Sequence, residues 1–120
     1  MGERVHDGEA LAVSLSQLPL DGPDGVVWGL DSPQLNANLV KLDPGHEIGE
    51  HSYEQVDVLL IVQSGDGVIV VDGVDNVVQA ESVVLIPRGA KRSIHASRRL
   101  VYYSIHTRRP GLDVSVAHTG

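Results

Sequence analysis

The chain has 120 residues and a mass of 12.8 kDa, which suits one domain and is short for two. Its 42% apolar residues can form a core, and the lack of cysteine excludes disulfides, thiolate zinc sites and a cysteine nucleophile. The net charge of −7 argues against a nucleic-acid partner. With no long apolar run and no signal-peptide pattern, we expect a cytoplasmic protein without membrane contact.

Basic residues are concentrated in one part of this acidic chain. Seven of the nine Lys and Arg lie between Arg88 and Arg109, and that window contains no Asp or Glu. The distribution fits two faces of one barrel or complementary surfaces of a dimer. It also fits an anion site beside the basic strands.

Turn-forming residues divide the chain into short apolar segments. Residues 1–24 have few apolar positions and run into a turn-rich stretch at 18–25, which predicts an irregular N-terminal entry. Predicted strands follow at 26–30, 35–42, 56–63, 68–71, 77–79, 83–86, 93–96 and 100–107, and a tail occupies 110–120.

The spacing of these segments predicts the fold class. Turn signals recur roughly every 8–12 residues, β-branched residues are abundant, and no segment has a helical period. These features indicate an all-β sandwich or barrel. Strands that are apolar on both faces need cover from a second sheet and a second subunit, so we expect a homodimer.

A sequence motif lies before and within the most apolar strands. Gly45 is followed by five residues and then His51, with Tyr53 two positions later. Asp57 and Gly65 complete the pattern. This spacing resembles the first motif of the cupin family, in which a second His stands at the position of Tyr53 and a Glu at that of Asp57.

A second motif lies about thirty residues later and resembles the second cupin motif. Residues 87–89, Pro-Arg-Gly, match it directly. Glu81 stands where the family has Gly, Arg92 where it has His, and Ala96 where it has Asn. The resemblance covers roughly residues 35–107.

The resemblance implies a double-stranded β-helix, or jelly-roll barrel, with its core at 35–107 inside one domain spanning 1–120. It also implies a divalent metal in the barrel, such as Fe, Mn, Ni or Zn. Of the four usual ligands only His51 is unchanged here, so the resemblance describes a cupin with degenerate metal motifs.

The alternation of side chains along a strand predicts which residues share a pocket. His51, Tyr53 and Asp57 have matching parity, so one strand can direct all three inward. Arg92 at the inward position of the second motif adds a permanent cation, which cannot coordinate a metal. We expect Arg92 to pair with Asp57 in place of the metal.

The last strand adds one more candidate. Tyr102, Ser104 and His106 lie on one of its faces. If that face points inward, His106 joins His51 and Asp57 as a set of two His and one carboxylate, which suits non-haem iron or a similar metal.

The leading hypothesis is therefore a small-molecule-binding cupin whose pocket holds His51, Tyr53, Asp57, Arg92 and His106. Its ligand would be an anion such as a carboxylate, held by Arg92. The alternative is a metal-dependent oxygenase or isomerase that uses His51, Asp57 and His106. A third option is a metal-free acid/base enzyme in which Asp57 orients His51. The sequence leaves open whether the protein is catalytic.

Overall fold

The computed structural model describes residues 10–108 and the backbone of residues 3–5, and these residues form an all-β protein without an α-helix. The strands are β1 (Glu3–Val5), β2 (Gly25–Asp31), β3 (Leu35–Leu42), β4 (Glu47–His51), β5 (Val58–Ser64), β6 (Asp66–Val71), β7 (Val74–Gln79), β8 (Val83–Ile86), β9 (Arg92–Ala96) and β10 (Leu100–Thr107). A single 3-10 turn spans Leu15–Gln17. No helix among the described residues is long and apolar enough to cross a membrane.

Two sheets enclose the core. The larger sheet has the order β1-β2-β3-β10-β5-β8 and the smaller one β4-β9-β6-β7. The core is built mostly from Val, Leu and Ile of both sheets, for example Leu60 and Val62 of the larger and Ile69 and Ile94 of the smaller. This architecture confirms the predicted jelly-roll fold, and we call the space between the two sheets the lumen.

Most predicted strands are found, four of them with bounds that differ by one or two residues, and three larger corrections apply. Strand β4 was missed, because its sequence Glu-Ile-Gly-Glu-His lacks an apolar run. Strand β7 begins at Val74 rather than at residue 77. The turn before it is only two residues long, since Asp72 and Gly73 both have positive φ (48° and 81°), as a two-residue hairpin requires.

The third correction concerns the N-terminal entry, which the sequence predicted to be irregular. Residues 3–5 form β1 and pair in parallel with β2. The predicted tail at 110–120 lies outside the described residues.

Candidate ligand site in the barrel lumen

Strand β10 supplies one wall of the site. Its residues Tyr102 and Ser104 are fully buried, and His106 is 6% exposed. Tyr103 and Ile105, which have the opposite parity, are half-buried on the outer face. The predicted inward face of the last strand is therefore the face that lines the lumen.

Strand β3 continues this wall with polar side chains. Asn38 lies opposite Ser104 and Asn36 opposite His106, so all four side chains share the lumen face. Asn38 Nδ2 donates to Asn36 Oδ1 at 2.8 Å, and Asn36 Nδ2 donates to Asp31 Oδ1 at 2.7 Å. This buried chain of hydrogen bonds fixes the orientation of both amides and makes this end of the lumen polar.

The smaller sheet contributes the cation. Arg92 of β9 lies directly opposite His51 of β4, and its side chain is only 1% exposed. The guanidinium carbon lies 4.5 Å from the centre of the Tyr53 ring, which is a cation–π contact.

Tyr53 connects the two walls. Its ring centre lies 5.6 Å from that of His51, edge to face, and 6.0 Å from that of His106. We call Tyr53 and five other side chains that face the lumen the lumen cluster: His51, Tyr53, Arg92, Tyr102, Ser104 and His106.

Several buried polar atoms of the lumen cluster have no hydrogen-bond partner within the described residues. They are His51 Nε2, Arg92 Nε, Arg92 Nη2, Tyr102 Oη and Ser104 Oγ. A buried polar group without a partner costs about 1–3 kcal/mol, and more when it is charged. All of these atoms belong to side chains of the lumen cluster, which makes the cluster the candidate site for a polar ligand.

Burial also shifts the ionisation of the lumen cluster. Burial raises the pKa of Tyr102, as does the neighbouring Tyr53, while Arg92 opposes the shift. Burial lowers the pKa of Arg92, and the two tyrosines Tyr53 and Tyr102 oppose that shift. A guanidinium titrates so far above neutrality that Arg92 stays charged, and Tyr102 stays a neutral hydroxyl.

Solved structures share this architecture at low sequence identity. The cupin domain of Schizosaccharomyces pombe Cnp3 superposes with a TM-score of 0.71 and 19% identity, over 81% of this chain and 73% of that one. A cupin protein of Bacteroides fragilis gives a TM-score of 0.59 and 24% identity, over 71% and 79% of the two chains. The chain has a cupin fold.

A further solved structure, the protein BH2720 of Bacillus halodurans, gives a TM-score of 0.74 and 20% identity, over 94% of this chain and 91% of its own. No protein-family model and no curated protein matches the sequence. Identities at this level carry the fold alone, so the function of this cupin barrel is argued from its own residues.

Asp57 is not part of the lumen cluster, contrary to the sequence-based expectation. Strand β4 ends at His51 and β5 begins at Val58. The alternation of side chains along a strand therefore does not extend from residue 51 to residue 57. The Asp57 side chain is exposed, and its Oδ1 accepts a hydrogen bond of 2.8 Å from the Arg88 backbone N–H. The predicted ion pair between Asp57 and Arg92 is therefore wrong.

The prediction that Asp57 orients the His51 ring is wrong for the same reason. His51 Nδ1 instead lies 2.9 Å from the carbonyl oxygen of Gly49. A carbonyl only accepts, so Nδ1 carries a proton, and in the neutral tautomer of the ring the buried Nε2 is an acceptor.

The divalent metal that the cupin resemblance implies does not fit the donors of this barrel. Two positions of the family's ligand set hold Tyr53 and Arg92, and Arg92 has donors only. Within residues 10–108, the structure does not bring His51, His106 and a carboxylate within ligand range of one another. A dication would also be repelled by the adjacent guanidinium.

The one group of three potential metal ligands in the described residues lies elsewhere, on the surface, and consists of Asp24, Asp43 and His46. Lys41 Nζ already lies among them, 3.4 Å from Asp24 and 3.3 Å from Asp43, and donates to the Gly22 carbonyl at 2.6 Å. Slight burial favours a higher pKa for Asp24, but hydrogen bonds from His46 and Asp43 outweigh it and lower that pKa. The group therefore fastens the loop before β2 to β3.

The basic window of the sequence does not form one patch. Arg92 faces the lumen, whereas Arg98 is on the surface and pairs with Asp66. Arg108 donates to the Ser32 carbonyl at 3.1 Å. Of these arginines, Arg92 is the one that lies at the candidate anion site.

Sequence reasoning missed the asparagines of the site. Asn36 and Asn38 alternate with apolar residues in β3, a pattern that ordinarily indicates a solvent-facing side. The signal available was the polarity of the residues opposite them, Ser104 and His106, but the strand register that pairs them is known only from the structure.

Proposed function

We propose that this cupin barrel binds a small carboxylate in its lumen, with Arg92 as the anchor. The observation that carries the proposal is the buried guanidinium whose Nε and Nη2 have no partner in residues 10–108. A buried charge without a counter-ion is among the costliest features in a protein, and the Tyr53 ring compensates it only in part, so a bound anion is the simplest further compensation.

The geometry of the guanidinium supports a carboxylate. Nε and Nη2 form the side edge of the group, which can donate two parallel hydrogen bonds to one anion. The same edge is used on the surface of this molecule, where Arg98 Nε and Nη2 contact Asp66 Oδ2 at 2.8 and 2.6 Å. Arg92 presents this edge inside the barrel, and no acidic side chain of residues 10–108 receives it.

The experiment measures propionate and hexanoate binding by calorimetry or ligand-observed NMR. The substitution Arg92→Met keeps the side-chain length and removes the charge, and Arg88→Met removes an exposed arginine as control. We expect Arg92→Met to weaken binding by about tenfold or more, because charge-assisted hydrogen bonds contribute roughly 1.5–3 kcal/mol. Equal binding by both variants, or no binding of either acid to the unmodified protein, would contradict the proposal.

Metal analysis tests the alternative of a metal-dependent enzyme. We expect protein purified without a nickel column to contain far less than stoichiometric metal, since Arg92 replaces a ligand and Asp57 lies outside the lumen. A full equivalent that is lost in His51→Ala would instead favour the metalloenzyme.

A further inference from the structure

We infer that the ligand of the lumen carries a hydroxyl group one or two carbons from its carboxylate, so that the site recognises hydroxy acids. This inference rests on the proposed function and names the ligand class of the same site. It follows because the buried atoms without a hydrogen-bond partner in residues 10–108 include both donors and an acceptor.

The buried polar atoms of the lumen include both donors and acceptors. The two partnerless atoms of Arg92 are donors and need an acceptor. His51 Nε2 is the opposite in the neutral imidazole, because there the proton sits on Nδ1, which donates to the Gly49 carbonyl, and Nε2 keeps its lone pair. A plain carboxylate satisfies Arg92 but offers no proton to His51 Nε2. A ligand that satisfies both must also carry an O–H or N–H group.

The donors of Arg92 and the acceptor of His51 lie close to each other. His51 and Arg92 are direct partners across β4 and β9, so their side chains leave the sheet side by side. The Cβ atoms of such partners lie about 4.5–5.5 Å apart. Both side chains also pack on the Tyr53 ring. The acceptor and the donor of the ligand must therefore be close neighbours, which excludes a hydroxyl at the far end of a long chain.

The wall of the lumen formed by β10 and β3 is also polar. The hydroxyls of Tyr102 and Ser104 are buried and have no hydrogen-bond partner among the residues that the structure describes, and a hydroxyl can either donate or accept. Next to Ser104 the wall continues with the amide of Asn38, whose orientation is fixed by Asn36. Such a wall favours a hydroxyl-bearing ligand over a fatty acid, because an alkyl chain would leave these groups unsatisfied.

The test compares matched ligands that differ by one group. The probes are both enantiomers of lactate, propionate, and propane-1,2-diol, with gluconate, hexanoate and sorbitol as a larger set, each titrated by calorimetry. We expect the better lactate enantiomer or gluconate to bind about tenfold more tightly than its deoxy partner, and the diol and sorbitol to bind weakly.

Variants locate the source of the preference. His51→Phe removes the acceptor and keeps an aromatic ring at the half-buried position, so we expect it to abolish the preference for the hydroxy acid while the deoxy acid still binds. His51→Gln restores an acceptor oxygen and should recover part of the preference. Circular dichroism of each variant checks that the fold is retained.

The outcomes separate the two proposals. If hydroxy and deoxy acids bind equally and Arg92→Met weakens both, this inference is overturned and the proposed function stands. If no acid of either set binds, or binding ignores Arg92→Met, the proposed function fails and the inference with it. Zinc binding to the ligand-free protein that disappears in His51→Phe would show that Nε2 serves a metal, and would also overturn the inference.

Discussion

At the scale of the residue, Arg92 has opposite effects on stability and on binding. In the ligand-free protein its charge is buried with a tyrosine ring as its main compensation. Replacing buried charges by apolar side chains of similar volume is often stabilising by about 1–4 kcal/mol. The same replacement removes the anchor of the proposed carboxylate, so stability and function are in conflict at this position.

We therefore predict that Arg92→Met increases the free energy of unfolding of the ligand-free protein by about 1–3 kcal/mol, measured by urea denaturation. The lost contact with Tyr53 offsets part of the gain. Arg88→Met, at an exposed position, should change the stability little. A clear loss of stability in Arg92→Met would mean that the guanidinium is compensated within the barrel after all.

Glu81 is a second residue at which the local conformation conflicts with the side chain. Its φ of 73° lies in the left-handed region, which costs a non-glycine residue about 1–2 kcal/mol. This segment resembles the second cupin motif, in which Gly stands at the position of Glu81. We predict that Glu81→Gly, at this exposed turn, raises the free energy of unfolding by about 1 kcal/mol.

The control for that prediction is Glu50→Gly, at an exposed position in β4. Glycine there only adds flexibility to the unfolded chain, so the stability should fall. Both variants are measured by urea denaturation, and a loss of stability in both would show that φ at residue 81 carries no strain.

At the scale of the element, the approach of β6 to β9 depends on the absence of one side chain. A Cβ on Gly67 would lie 2.1 Å from the carbonyl oxygen of His95 in the neighbouring strand. This clash is with backbone and cannot be relieved by a rotamer change. We predict that Gly67→Ala lowers the free energy of unfolding by about 3 kcal/mol or more, measured by thermal and urea denaturation.

Gly49→Ala is the matched control, because it also lies in a strand of the smaller sheet and no atom stands within 4 Å of its added Cβ. Its stability should stay the same or rise slightly. If Gly67→Ala lost no more stability than Gly49→Ala, the smaller sheet would tolerate a wider spacing between β6 and β9.

The elements also show what periodicity can predict. The bounds 35–42, 83–86 and 100–107 were predicted as the structure has them, since turn residues flank each strand. The inward face of β10 was one of two alternatives from the sequence, because a shift of one residue reverses every side chain. Pairing with β3 and β5 selects the face that buries Tyr102 and Ser104.

At the scale of the whole molecule, the outer face of the larger sheet carries an apolar surface. Val83 and Leu85 of the edge strand β8 are 61% and 62% exposed, and they lie beside the half-buried Ile61 and Leu59 of β5. Apolar groups that neighbour one another across two strands favour association. The homodimer expected from the sequence stays a prediction.

We predict a dimer by light scattering at micromolar concentration, and expect Val83→Lys with Leu85→Lys to shift the protein to a monomer. Charged side chains would have to be desolvated at an apolar interface. Val74→Lys, at an exposed residue in the turn region of β7, is the control and should leave the mass unchanged. A monomer in the unmodified protein would refute the expectation.

The sequence by itself determined the class of fold and part of the site. Alternation and turn chemistry are local properties, so they define strands, their approximate bounds and the side chains that share a face. The spacing of two motifs also singled out His51 and Arg92, and these two are partners across β4 and β9.

Only the tertiary structure decided which faces point inward and which charges find a partner. Asp57 was expected in the pocket, but no strand connects residues 51 and 58. The Asp57 carboxylate instead accepts a hydrogen bond from the Arg88 backbone N–H. Asn36 and Asn38 were not predicted to line the lumen, because their direction depends on strands far away in sequence. Contacts between segments far apart in sequence determine which side chains are buried. They bury the guanidinium of Arg92, and this burial is the reason for proposing a bound anion.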